Sequence, residues 1–143
     1  MGKNNIIVPS SFDFQTNIPV RITDINYGGH LGNDSVLSIA HEARMQFLSS
    51  LGFSEMNFGG VSLIMSELAV DFKAELMYGD TAIIGVAVSD ISKVTFDLVY
   101  QIKSDKNGKH IVAANIRTGM VCFDYETKRI RPIPEGVLKI IKP

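Results

Sequence analysis

Between Arg21 and Asn33 the chain reads Arg-Ile-Thr-Asp-Ile-Asn-Tyr-Gly-Gly-His-Leu-Gly-Asn, and Asp24, Asn26, His30 and Asn33 bring acid, amide and imidazole groups into thirteen residues. The segment leaves a strand-like stretch and feeds a helix-like one. A helix start carries unpaired N–H groups and the positive end of the helix dipole, which suits a carbonyl oxygen or an oxyanion. Asp24, Asn26 and His30 are close enough in sequence to face such a spot. The same residues have a purely structural use: Asp and Asn side chains satisfy turn amides, and the glycines permit positive φ. Sequence alone leaves both uses open.

Sharper motifs fail on inspection. Asp24-x-Asn26-x-Gly28-Gly29 imitates the opening of a calcium loop, but its twelfth position is Ser35 instead of Glu,. His41-Glu42-Ala43-Arg44-Met45 lacks the second histidine of a zinc protease, and Gly28-Gly29-His30-Leu31-Gly32 is neither a P-loop nor a dinucleotide fingerprint,. No metal ligand set is expected. Cys122 stands in a strand without a nearby partner and reads as a buried structural thiol. His41 and Arg44 read as a solvated helix face or a structural ion pair, and His110, after a turn, as surface. Glu42, about two turns into the helix, is a carboxylate able to look across a subunit boundary.

The elements that must position these groups follow from periodicity. Val36, Leu37, Ala40, Ala43, Phe47, Leu48 and Leu51 recur at three- and four-residue spacing, predicting a helix over Ser35–Leu51 about 26 Å long,. Asn33, Asp34 and Ser35 each offer an N-capping oxygen, and Gly52-Phe53 fits a Schellman stop. Leu68, Val70, Phe72, Ala74 and Leu76 alternate with Glu67, Ala69, Asp71, Lys73 and Glu75, which predicts a half-exposed strand. Tyr78-Gly79-Asp80 turns into a strand over Thr81–Ser89. Alternation over Val94–Ile102 gives the next strand, and Asn107-Gly108 a tight hairpin into Ile111–Phe123. With an opening strand over Phe12–Asp24, the order is strand, long helix, four strands. Short turns make the later strands antiparallel, and the helix is their cover. The fold class is α+β, a curved antiparallel sheet wrapped around one long central helix.

Composition narrows the rest. In 143 residues, 45% are hydrophobic and 20% charged, as expected of one globular domain spanning 1–143,. Fourteen Lys and Arg against fifteen Asp and Glu give a net charge of −1, so no basic excess points to nucleic acid or an anionic membrane,. One cysteine, no secretory leader pattern and no acylation signal in Met1–Ile6 predict a soluble cytoplasmic protein. Apolar runs such as Val61–Met65 and Thr81–Val88 fall far short of the ~20 residues of a membrane span.

The stretch Arg21–Arg44 resembles, without a gap, the R-x-x-D-x-D-x-x-G-H-V-N-N-x-x-Y-L-x-x-x-E-E-A-R signature of hot-dog-fold acyl-CoA thioesterases of the hydroxybenzoyl-CoA thioesterase type. Arg21, Asp24, Gly29, His30, Asn33, Leu37, Glu42, Ala43 and Arg44 match. Tyr78-Gly79-Asp80 resembles the family's Gly-Asp turn, and Ile133-Pro134 its closing Ile-Pro. The resemblance implies a hot-dog fold, hydrolysis of an acyl-CoA thioester, and a homodimer or homotetramer with coenzyme A bound between subunits as part of the substrate. No further cofactor, metal, nucleic acid or membrane partner is implied. It places the thioester carbonyl at the helix start, on the Asn33 amide, with His30 as a second donor or as a pin for the loop.

The second Asp of the family's D-x-D supplies the attacking or water-activating carboxylate, and here that position is Asn26. A neutral amide does neither. Within the resemblance Asp24 is near, and Glu42 from one subunit is the expected replacement, with Asn26 orienting water or thioester. Lys93 is the one basic residue where the family binds the coenzyme A phosphates. A hot-dog hydratase or dehydratase using His30 and Glu42, and a non-catalytic acyl-CoA-binding domain, are the alternatives. Phe47, Met45, Phe58, Met65 and Leu68 suit either an apolar acyl tunnel or plain core.

Overall fold

A computed structural model of the protein describes residues 6–142; Met1–Asn5, which hold most of the stretch read above as lacking an acylation signal, and Pro143 lie outside them. The described chain runs β1 (Phe14–Pro19), a 3-10 turn (Ile22–Asp24), α1 (Asn33–Ser50), β2 (Ser62–Phe72), β3 (Thr81–Ser89), β4 (Thr95–Lys106), β5 (Lys109–Asp124), β6 (Arg129–Ile130) and α2 (Glu135–Ile141). All strand pairs are antiparallel in the order β1-β3-β4-β5-β2, with β6 added to β5. The expected order of strand, helix and four strands holds. No described helix is long and apolar enough to cross a membrane.

Local chemistry sets the boundaries. α1 stops as its sequence demands: Gly52 takes φ +84°, its N–H reaches Ser49 O at 3.0 Å and the Phe53 N–H reaches Leu48 O at 2.8 Å, which is the paired bonding of a Schellman turn. Asn107 and Gly108 both sit at positive φ and close the β4–β5 hairpin,. Three expectations need correction. The opening strand does not run over Phe12–Asp24: β1 ends at Pro19, and the Asp24 carboxylate accepts the Arg21 N–H at 2.9 Å to fold the chain into a 3-10 turn. α1 begins two residues early, at Asn33, capped by Gly32 with no side-chain hydrogen bond, so Asn33, Asp34 and Ser35 do not serve as caps. The strand read from Glu67 to Leu76 starts at Ser62 and ends at Phe72. A register shift between Met65 and Glu67 resets its alternation, and beyond Phe72 both Lys73 and Ala74 donate to one acceptor, Ala113 O, so the ladder cannot continue,. β6 and α2 had no distinct periodic signal.

The core lies between α1 and the inner face of the sheet, where Phe96, Leu98, Tyr100, Ile102, Ala114 and Ile116 are fully buried. Phe58 stacks on Phe96, and Phe47 is buried too, so these two belong to the core and not to a tunnel. Cys122 is buried, and burial pushes its thiol up to about 11. α1 packs chiefly against β1 and β3, away from the far edge of the sheet. Met65, Leu68 and Phe72 of β2 share the inner face with Met120, Thr118 and Ala114 of β5, yet are 48, 42 and 49% exposed.

One charged group fixes the helix on the sheet. Arg44, which the sequence placed on a solvated face or in an ion pair, is buried and paired: Nε donates to Glu55 Oε2 at 2.7 Å and Nη1 to the Tyr100 hydroxyl at 3.1 Å. Tyr100 in turn meets Thr118 Oγ1 at 2.8 Å, and His41 Nε2 lies 3.0 Å from Glu55 Oε1. Burial works against the Glu55 charge, but the hydrogen bonds from His41 and Arg44 prevail and hold its carboxyl below the usual range. Arg44→Leu leaves Glu55 without its main partner in a half-buried place; the expected loss is about 2–3 kcal/mol of unfolding free energy, measured by urea denaturation.

Candidate active site

The loop from Asp24 to Gly32 is a closed, hydrogen-bonded turn. Asn26 N–H donates to His30 O at 2.8 Å, Gly29 N–H to Asn26 O at 3.0 Å and Gly32 N–H to Asp24 O at 3.0 Å. The Asn26 side-chain oxygen accepts the amides of Gly28 at 2.9 Å and His30 at 3.2 Å. Asn26 therefore holds the turn through Oδ1, and its NH2 has no hydrogen-bond partner among the described residues. Asp24 is committed: it is 5% exposed and accepts Arg21 Nε at 3.1 Å and Nη2 at 3.2 Å besides the backbone N–H. Burial would raise its pKa, but these bonds outweigh burial and hold the carboxyl below its ordinary value. For Asp24 and for the Asn26 oxygen, the turn-holding use is the one present.

The turn delivers the helix start to a cavity of about 290 Å³. Asn26 and Asn33 stand on its wall, with Phe72, Lys73 and Glu75 from the segment that leaves β2, over a floor that includes Leu31, Val36, Leu76 and Ile102. Because Gly32 caps α1 without a side chain, the amides of the first turn at Asn33–Ser35 have no intrahelical partner and no side-chain cap,. They form a set of donors with the dipole behind them, and Asn33, the first of them, stands on the wall of the cavity,. His30 flanks it, with Nδ1 3.1 Å from Glu75 Oε2.

The other two expected site residues are elsewhere in this chain. Glu42 lies about 14 Å along α1 from Asn33 and half a turn round it; it faces the β1 side beside Arg21, Ser38 and Ile39, and accepts the Gln46 amide at 2.8 Å. Lys93 is exposed just before β4, and Ile102 in the cavity floor lies nine positions further along the extended chain, about 30 Å away,. A second groove of about 230 Å³ runs between α1 and β2, lined by Leu37, His41, Arg44, Met65, Leu68 and Thr118 among others; of the proposed tunnel residues, Met65 and Leu68 are here. Glu75 was not singled out because its alternation with Ala74 and Leu76 made it an outward strand residue.

A curved antiparallel sheet wrapped around one long helix defines a hot-dog fold. Comparison with known proteins agrees. A family model described as the thioesterase-like superfamily matches residues 20–141, and the chain belongs to that superfamily. It is 25% identical over 126 residues to a 1,4-dihydroxy-2-naphthoyl-CoA hydrolase of Rippkaea orientalis, covering 86% of this chain and 91% of the relative. Solved structures of similar fold include a thioesterase-superfamily protein from Jannaschia (TM-score 0.81, 17% identity, 93% of this chain and 83% of that one). A 1,4-dihydroxy-2-naphthoyl-CoA thioesterase from Synechocystis (0.77, 23%, 91% and 98%) is another. So is a Thermus thermophilus thioesterase complexed with coenzyme A and zinc (0.76, 22%, 93% and 100%).

The Asp24 pair carries a pH signature. A carboxyl whose folded pKa lies below its unfolded one stabilises the fold above the unfolded value, near 3.9, and that contribution disappears as pH falls through the folded value. Unfolding free energy is therefore expected to drop below about pH 4, and Asp24→Asn to lower stability at neutral pH while flattening that acid limb, as read from urea midpoints across pH 2–7.

Proposed function

We propose that this protein hydrolyses an apolar acyl- or aryl-CoA thioester to the free acid and coenzyme A. The observation that carries the reading is the uncapped start of α1 on the polar wall of a cavity with an apolar floor, in a chain of the thioesterase-like superfamily. The thioester oxygen accepts from the amides at Asn33 and the next residues, where the charge that develops during attack is stabilised most. The acyl group enters the floor formed by Leu31, Val36, Leu76 and Ile102. A volume of about 290 Å³ suits a compact acyl or aryl group,, and a relative named for a naphthoyl-CoA supports the aryl choice. Asn26 orients the thioester or the water through its NH2, His30 supports the turn, and coenzyme A enters only as part of the substrate.

The chain works as one hot-dog domain, 1–143, in a homodimer. Met65, Leu68 and Phe72 face inward on an edge strand yet stay part-exposed, and a second copy covers them,. A two-fold axis there reverses the strands, which sends the Lys93 end of one subunit toward the cavity end of the other and lets Lys93 meet the coenzyme A phosphates. Pairing of such dimers into a homotetramer uses other surfaces.

Free-thiol release from short, medium, long and aryl acyl-CoAs tests the activity. Turnover is expected with compact acyl and aryl thioesters and a decline in kcat/KM toward long chains. Binding of acyl-CoA with no thiol released would sink the reading in favour of a non-catalytic binding domain, which Asn26 in place of a carboxylate would explain; loss of enoyl absorbance without thiol would assign a hydratase. Leu68→Asp is expected to convert the dimer to a monomer in sedimentation velocity.

A further inference from the structure

Hydrolysis needs a group that takes a proton from water at the carbonyl. Asn26 is neutral, Asp24 is held by Arg21, and Glu42 faces the β1 side of α1, away from its own Asn33 and from the β2 edge where the proposed second copy docks. Of the described residues that line the cavity at the helix start, Glu75 alone carries a carboxylate. Its place is built by the backbone. Lys73 and Ala74 leave the β2–β5 ladder by sharing Ala113 O at 2.8 and 3.1 Å, and the Leu31 N–H then donates to Leu76 O at 2.8 Å. That last bond ties the segment to the turn that feeds α1, so Glu75, Asn26 and the first-turn amides surround one space. His30 Nδ1 is buried and finds no well-aligned partner among the described residues; Glu75 Oε2, 3.1 Å away, is the acceptor within its reach. The Glu75 side chain itself is 69% exposed, open to water.

We propose that Glu75, positioned by His30, is the general base that replaces the carboxylate missing at position 26; this rests on the thioesterase reading. Water attacks the acyl carbon as its proton passes to Glu75, and the carbonyl π pair moves to the oxygen held by the first-turn amides. On collapse the C–S bond breaks, the sulfur takes the proton from Glu75, and the acid and coenzyme A leave. Glu75 returns to its carboxylate form, and no other reactant is consumed. His30 touches no reacting atom in this scheme; it is a positioning residue that keeps Glu75 over the cavity.

The test is thiol release from the best acyl-CoA by wild type, Glu75→Gln, His30→Asn and the double variant Glu75→Gln/Asn26→Asp, with melting temperatures alongside. Expected is a fall in kcat of about 100-fold or more for Glu75→Gln, with KM and melting temperature unchanged. His30→Asn lowers kcat less, again at constant KM. A carboxylate at position 26 lines the same cavity, so the double variant regains turnover relative to Glu75→Gln. Wild-type kcat in Glu75→Gln overturns the proposal, as does a loss that comes with a lowered melting temperature and no rescue by Asn26→Asp. Those failures leave the thioesterase reading standing. A wild type that releases thiol from no acyl-CoA overturns that reading and the base assignment together.

Discussion

One helix cannot cover this sheet. Five strands spaced about 4.8 Å apart make a surface roughly 20–25 Å wide, and a helix with its side chains spans about 10–12 Å. α1 settles over β1 and β3, where Ile39, Ala43 and Phe47 are buried. Grooves therefore open beside the helix toward β2, and Met65, Leu68 and Phe72 of β2 stay part-exposed. Both cavities in the vicinity of α1 and β2 are products of that mismatch in width.

Where the helix settles is decided by Arg44. Its guanidinium reaches from α1 to Tyr100 on β4 and to Glu55 in the loop after α1, and Tyr100 extends the contact to Thr118 on β5. Such a group is expensive to bury and tolerates few arrangements. It therefore sets the rotation of α1, directing Leu37 and His41 toward β2 and Glu42 toward β1. The same rotation presents the Gly32–Asn33 end of α1 to the cavity bounded by Phe72 and Glu75.

Much of this was legible in the sequence, for physical reasons that differ by element. α1 shows because its buried side is continuous in period, and Gly52-Phe53 stops it with a conformation that glycine favours. β3 matches its expected bounds, Thr81–Ser89, because turns punctuate both ends. β2 was misjudged because the irregularity between Met65 and Glu67 shifts the phase of its pattern, hiding Ser62–Met65 from an alternation that begins at Leu68. The charge of Arg44 concealed its burial, since its partners lie 11 and 56 residues away. The site was half visible. The turn residues Asn26, His30 and Asn33 announced themselves by type and spacing, whereas Glu75 reaches the same cavity through backbone bonds to Ala113 and Leu31 that no local pattern encodes.

The two free edges of the sheet are unequal, and that bears on how far the protein can grow by adding strands. β2 is eleven residues long with its phase shift near Ser66, whereas β1 at the other edge has six residues and ends on Pro19, which has no N–H to offer,. A sheet with two long, regular edges can recruit neighbours at both and elongate without limit into fibres. Here β1 is a poor template, so strand addition at β2 has no matching site at the far side from which to continue. Self-association along the hydrogen-bonding direction is thus capped at a finite size by the chain itself, a safeguard against aggregation written into the shorter strand.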